Sequence, residues 1–406
     1  MQVLESTQNP SLLELGETYG TPLYVYHTDS IRKRFDCLTK AFADKRVKFK
    51  YAAKALTNIN ILRYLKSLGA GLDTVSIQEA KLGLMAGFAP EDIIYTPNCV
   101  SFEEICVAVE LGVHINIDNI SVLEQFGHQF GDQVPICIRL NPHILAGGNY
   151  QISTGHIDSK FGISIYQMRH VERVLASTNV KVRGLHMHTG SEIKDIDVFL
   201  RGVEILLEMG EYFPDLEFID LGSGFKVPYK PDDYESDLNS LGPRLMERFD
   251  AFCQERGRPM ELWFEPGKYL VSESGSFLTK VNVIKQTTAT VFAGVDSGFN
   301  HLIRPMFYNA YHGISNLSNP EGIERIYTVV GYICETDTFA WDRRIPEIRE
   351  GDVLAFHNAG AYCFSMASNY NSRLRPAEVM VHEGKAHLIR ERETFDDLVH
   401  KQVLVL

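Results

Sequence analysis

The chain has little that would suit it to the extracellular space, a bilayer or a nucleic acid. Its seven cysteines (37, 99, 106, 137, 253, 334 and 363) are scattered and odd in number, and no two stand as C-x-x-C. That excludes a disulfide framework and a zinc ribbon and points to reduced thiols in the cytoplasm. Met1 to Ser6 offers neither a basic region nor an apolar core, so no signal peptide is expected. No apolar run approaches the roughly 20 residues that span a bilayer. Cationic excess is also missing. With 40 Lys+Arg against 52 Asp+Glu the formal charge is −12, which argues against a phosphodiester backbone as the main ligand. It leaves room for a small anion held in a local basic pocket.

What is present is an ordinary globular composition, 45% apolar and 23% charged, over 406 residues. That length suffices for one large α/β unit and a smaller partner. From Val47 to Glu265, short β-rich runs alternate with stretches of helical period. The runs are 47–53, 71–75, 93–96, 114–118, 135–140, 182–188, 218–222 and 262–265. Eight such βα units are the count of a closed (β/α)8 TIM barrel, with an open doubly wound sheet as the alternative. After about Gly275 the texture turns β-rich (281–285, 289–295, 325–333, 353–356, 379–389), with a hairpin across 381–386. We therefore expect a 1–28 segment whose 21–26 strand pairs with the C-terminal domain, a barrel over 29–275 and a β domain over 276–406.

In such a barrel, chemistry collects at the C-terminal ends of the strands. Lys54 follows the first run and Asp73 lies in the second. His188 and Ser191 follow the sixth, Gly222-Ser223-Gly224 the seventh, and Glu265-Pro266-Gly267 ends the eighth. A lysine amine facing a buried carboxylate across the barrel mouth suits an aldehyde cofactor with a basic ring nitrogen. The amine forms a Schiff base and the carboxylate keeps the ring protonated. The glycine loop, with exposed backbone N–H groups, suits a phosphate, and Ser191 could add a hydroxyl to it. It could equally be a tight strand-to-helix turn. His188 could lie flat against the ring. Asp73 either orients the lysine or histidine or caps the helix beginning at Ser76. The two glycines of Leu145 to Tyr150 make that segment a candidate lid.

These motifs, together with Tyr51-Ala52-Ala53-Lys54-Ala55, His186-Met187-His188-Thr189-Gly190-Ser191, Cys334-Glu335-Thr336-Asp337 and Gly360-Ala361-Tyr362, resemble the pyridoxal-phosphate decarboxylases of the alanine racemase-like barrel class. The resemblance runs from about Tyr24 to the C-terminus. It implies a barrel followed by a β domain, pyridoxal 5'-phosphate on Lys54, and a cofactor held by Asp73, His188, Ser191, Gly222, Ser223, Gly224, Glu265, Gly267 and Tyr362. It also implies a head-to-tail homodimer in which Cys334 and Glu335 enter the partner's site, with Cys334 as proton donor at the substrate Cα. On type alone, Cys334 would be a buried small hydrophobe.

Segments 155–162, 303–312 and 368–378 resemble the branch that acts on meso-2,6-diaminopimelate. That implies a spectator carboxylate on Arg304 and Tyr308 and its ammonium on Glu335. A bidentate arginine suits a substrate with an amino acid at both ends better than one with a bare distal ammonium. Arg304 as a surface or interface residue is the plainer possibility. One departure stands out: Lys268 occupies the place after Glu-Pro-Gly where the class usually has arginine, which keeps the charge and loses the fork geometry. Lys268 would serve either the substrate carboxylate or the cofactor phosphate. Two alternatives stay open: a decarboxylase of another basic amino acid or carboxylated polyamine precursor, and a non-catalytic cofactor-binding barrel.

Overall fold

The computed structural model describes residues 9–144, 159–188, 190, 193 and 195–406. Ser191, the candidate lid 145–150 and residues 155–158 lie outside them. The chain divides into two compact units: residues 1–33, 228–233 and 270–406 form one, and 34–227 and 234–269 the other. Among the described residues no helix is long and apolar enough to cross a membrane.

The strands, in chain order, are β1 Leu23–His27, β2 Val47–Ala52, β3 Gly71–Thr74, β4 Ile93–Tyr95, β5 His114–Ile117, β6 Ile136–Asn141, β7 Ile163–Ser164, β8 Val182–His186, β9 Phe218–Asp220 and β10 Glu261–Phe264. Leaving out β1 and the two-residue β7, these coincide with the eight runs read from the sequence. They pair in parallel in the order β5-β4-β3-β2-β10-β9-β8-β6, and β6 pairs back to β5. The ring is therefore closed, and the open doubly wound alternative falls. Period-2 alternation then sends every second side chain inward. The floor of the barrel is apolar: Ile94, Cys137, Phe218 and Trp263 pack together, with the rings of Phe218 and Trp263 stacked at 3.6 Å. Gly184 is required there, because a Cβ would stand 2.1 Å from the Phe218 ring. Lys50, also inward, lays its ammonium 4.3 Å from the centre of the Trp263 ring.

The second unit is built on β11 Gly275–Gln286, β12 Val291–Val295, β13 Ile314–Asn316, β14 Glu324–Val330, β15 Thr338–Pro346, β16 Val353–Phe356, β17 Ala377–His382 and β18 Lys385–Arg390. Its sheet runs β15-β14-β12-β11-β1-β17-β18, with β16 also on β11 and β13 on β16. β1 lies antiparallel to β11 and parallel to β17. Its buried Tyr26 donates a hydrogen bond to Glu378 at 2.8 Å. Leu15, Leu23, Val25, Leu278, Ala355 and Val379 belong to the core of this unit. Leu15 comes from a helix, Leu12–Tyr19, that sequence periodicity did not reveal. It is only eight residues long and is fixed by a Ser11/Glu14 capping box. β15 was missed because it is an edge strand: Asp342, Arg343 and Arg344 interrupt its apolar pattern, as edge charges commonly do.

Candidate active site

The layer above the barrel floor is polar. Asp73, Asn116, Arg139, His186, Asp220 and Glu265 are all buried. They come from β3, β5, β6, β8, β9 and the end of β10. A protein interior accepts such groups only if charges and hydrogen bonds offset one another. Lys54, on the short turn that continues β2, places Nζ 3.2 Å from Asp73 Oδ2. The helix after β3 is capped separately, by Ser76 receiving the Glu79 N–H. Asp73 therefore orients the lysine. Burial, reinforced by the negative charge of Glu265, pushes the Asp73 acid upward against the pull of Lys54.

Glu265 is deeply buried, which by itself would raise its acid, yet His186 and Lys54 outweigh burial and hold the carboxyl well below its usual range. Its Oε2 lies 3.1 Å from His186 Nε2, and Oε1 has no hydrogen-bond partner among the described residues. Lys54 and Glu265 do not face each other across the barrel, as the sequence suggested. β2 pairs directly with β10, Phe49 opposite Phe264. The two residues thus rise from neighbouring staves. Gly267 permits that closeness, since a Cβ there would press on Ala52 and Ala55 at 3.1 and 3.3 Å.

The glycine loop departs from expectation in one respect. The N–H of Gly222 donates to Asp220 Oδ1 at 2.8 Å, and that of Ser223 points to His188 Nδ1 at 3.3 Å. The N–H groups of Gly222 and Ser223 are thus spent inside the barrel and not exposed, because buried backbone donors must be paired. Gly222 adopts φ +61°, and a Cβ would lie 2.7 Å from both His188 Nδ1 and the Met187 carbonyl. Burial, with Arg139 and Lys54 adding to it, lowers His188 to about 3, so its imidazole is neutral.

In the other unit Arg304 is buried and opens a five-residue helix, Arg304–Tyr308. Its guanidinium lies 5.2 Å from the centre of the Tyr229 ring, and its Nε has no partner among the described residues. Tyr229 donates to Ser272 Oγ at 2.9 Å and packs edge-on against His312. Burial, aided by the positive charge of Arg304, lowers His312 to about 3. Tyr308 and Tyr362 are partly buried, and Tyr362 adopts φ +56°. Cys334 and Glu335 are exposed, which rules out a buried hydrophobe at 334. Asn371 donates to Cys334 Sγ at 3.2 Å and Tyr370 to Glu335 Oε1 at 2.9 Å. Asp337 anchors their loop by accepting the N–H groups of Phe299 and Ile333 at 2.7 and 2.9 Å. Lys268, half-buried, begins a four-residue helix, Lys268–Val271.

Sequence reasoning passed over His186, Asp220, Arg139 and Tyr229. The first three had a signal. Each is a charged or polar residue at an inward position of an apolar strand, and His186 stands two residues before His188 on the same face. Tyr229 lies outside any regular element, and nothing in the sequence marks it.

A polar barrel rim with a lysine and a buried ionised glutamate on neighbouring staves defines a class, and residues 28–272 match the family model for the pyridoxal binding domain of pyridoxal-dependent decarboxylases. The chain is 42% identical over 402 residues to a diaminopimelate decarboxylase of Methanothermobacter thermautotrophicus, covering 96% of this chain and 93% of that one. Its structure resembles that of the Helicobacter pylori diaminopimelate decarboxylase complexed with L-lysine, with a TM-score of 0.87 and 31% identity over 96% and 98% of the two chains. It also resembles the enzyme from M. jannaschii, with a TM-score of 0.88 and 32% identity over 97% and 94%. The chain belongs to the diaminopimelate decarboxylase family.

Proposed function

We propose that the protein decarboxylates meso-2,6-diaminopimelate to L-lysine and CO2, the last step of lysine biosynthesis, with pyridoxal 5'-phosphate as cofactor. The observation that carries this reading is Glu265: buried, ionised, with one oxygen unpartnered among the described residues, one stave from the Lys54 amine. Those features fit a cofactor with a basic ring nitrogen and a reactive aldehyde. When bound, such a cofactor supplies an electron sink for the charge left as the Cα–carboxylate bond breaks.

The chain's own residues do the rest. Lys54, steered by Asp73, would hold the cofactor through its amine. Neutral His188 would face the cofactor ring without adding a competing charge. With the N–H groups of Gly222 and Ser223 already engaged, the glycine loop offers the phosphate the N–H of Gly224 and the Ser223 hydroxyl. Ser191 is assigned to the same phosphate. Lys268 serves as a point charge toward the phosphate or the substrate carboxylate, and Tyr362 touches the cofactor. Arg304 and Tyr308 bind the spectator carboxylate, and Glu335 its ammonium. Cys334 delivers the proton to Cα.

A cytoplasmic homodimer in which Cys334 and Glu335 act in the partner's site completes the proposal. Their exposure on a loop anchored by Asp337 supports it. The test is to incubate cofactor-loaded protein with meso-diaminopimelate and measure CO2 and L-lysine. Absence of both, with turnover of another basic amino acid, would overturn the substrate. No turnover of any amino acid, with the cofactor bound, would favour the non-catalytic barrel.

A further inference from the structure

Behind Glu265 lies a second shell of ionisable groups that the proposed reaction does not use. His186, Asp220 and Glu265 each bring one nitrogen or oxygen to within 4.8 Å of the others, and all three are buried. The carboxylate of Glu265 can only accept, so His186 Nε2, at 3.1 Å, must donate. That bond occupies Oε2 and leaves Oε1 as the oxygen without a partner among the described residues. Asp220 anchors the turn through the Gly222 N–H, and in its acid form it has the Glu265 carboxylate within hydrogen-bond reach.

We propose that His186 is the positioning residue for Glu265, fixing its carboxylate so that Oε1 alone is presented to the cofactor ring nitrogen, and that Asp220 stays beside it in the neutral acid form. This rests on the reading of Glu265 as the partner of that nitrogen. Two carboxylates this close in a buried layer do not both ionise without a compensating cation for each. The cations facing the layer are Lys54, Arg139 and, from the barrel floor, Lys50, whose charge burial disfavours and whose ammonium donates to the Asp92 carbonyl at 3.1 Å. Lys54 is already engaged by Asp73, and Arg139 answers to Asp73, Asp118, Asp220 and Glu265 together. Neutral His188 adds no charge. Burial and the charge of Glu265 both push the Asp220 acid well up, in the sense required. A neutral Asp220 leaves the ring nitrogen facing a single negative charge whose orientation His186 sets.

The test is the 15N chemical shift of the ring nitrogen in holoenzyme loaded with 15N-labelled pyridoxal phosphate, followed from pH 6 to pH 10. The wild type should keep the nitrogen protonated across the range. His186→Leu should lower its apparent pKa by about one to two units. His186→Asn, polar but too short to reach Glu265, should do the same and serves if the leucine variant does not fold. His186→Gln, which retains a donor at similar reach, should restore the wild-type shift. Asp220→Asn, a mimic of the neutral acid, should leave the shift unchanged. In the Leu and Asn variants of His186, kcat should fall by about 10- to 100-fold with little change in KM. A wild-type nitrogen that is unprotonated overturns the Glu265 reading itself. A protonated wild type with unchanged Leu and Asn variants of His186 overturns this inference alone. A shift in Asp220→Asn as large as in His186→Leu overturns the neutral state of Asp220.

Discussion

Both units of the protein bury an arginine, and the two are treated in opposite ways. In the barrel, Arg139 lies among Asp73, Asp118, Asp220 and Glu265, whose charges oppose, without cancelling, the burial that lowers it. In the β unit, the groups acting on Arg304 are the phenols of Tyr229, Tyr308 and Tyr362 and the thiol of Cys363, with no carboxylate among them. Leaving a guanidinium in low dielectric without an anion is costly, by several kcal/mol in ordinary interiors. The barrel layer surrounds its cations with carboxylates, although several of its polar atoms, among them Glu265 Oε1, lack a partner among the described residues. The arginine of the β unit has no carboxylate among the groups acting on it, which supports the proposal that it receives the spectator carboxylate of the substrate.

The comparison is broken most severely by removing the barrel's mobile cation. Lys54→Ala should abolish decarboxylation, by at least about 10^3-fold, and with it the visible absorbance of the bound cofactor. A borohydride-reducible adduct at another lysine would show that the assignment is wrong. Next comes Arg304→Met, which removes the anion receptor and leaves the barrel untouched. It should cut kcat/KM for meso-diaminopimelate by about 10^2- to 10^3-fold, the worth of a buried bidentate pair, with cofactor absorbance unchanged. A parallel loss of cofactor would merge the two regions into one and undo the contrast.

A smaller effect is expected of Gly222→Ala. Its Cβ would meet His188 Nδ1 and the Met187 carbonyl at 2.7 Å with φ at +61°. A stability loss of about 1–3 kcal/mol is expected from strain at such a site, together with weaker cofactor retention by dialysis. Unaltered retention would mean that the turn does not shape the cofactor site.

The smallest effect sharpens the contrast from the other side. Asp337, in the β unit, is a buried carboxylate raised to about 6, chiefly by burial and against the two N–H groups it accepts. Its folded pKa exceeds its unfolded one, so between about pH 6 and pH 4 the folded state binds the proton first. Its contribution to stability therefore grows as pH falls, by at most about 1.4 kcal/mol per pH unit. Asp337→Asn should remove that increment from the pH dependence of denaturant unfolding. An unchanged slope would place the titration elsewhere.

Much of this was legible in the primary structure because the relevant signals are local. Alternation of period two in Val182–His186 or Phe218–Asp220 marks which side chains turn inward, and a charge at such a place, as with Asp73, is conspicuous. Lys54 and Glu265 could be placed on the rim because each terminates a run. Signals that depend on a distant partner were not legible. The edge strand 338–346 carries charges because no further strand covers it, and the helix 12–19 is held by its cap and by Leu15 in the core more than by its length. The glycine loop looked open because nothing in Gly-Ser-Gly reveals that Asp220 and His188 take two of its N–H groups.

Chain order and residue type alone determined that there are eight staves and which residues stand at their ends, since both follow from near-neighbour periodicity. Only the folded structure decided that the first stave lies against the last and closes the ring, that Glu265 leans on His186, and that Arg304 meets phenols and, among the groups acting on it, no acid. Those outcomes depend on which groups share a low-dielectric space, and residues far apart in the chain become neighbours there only once the strands have paired.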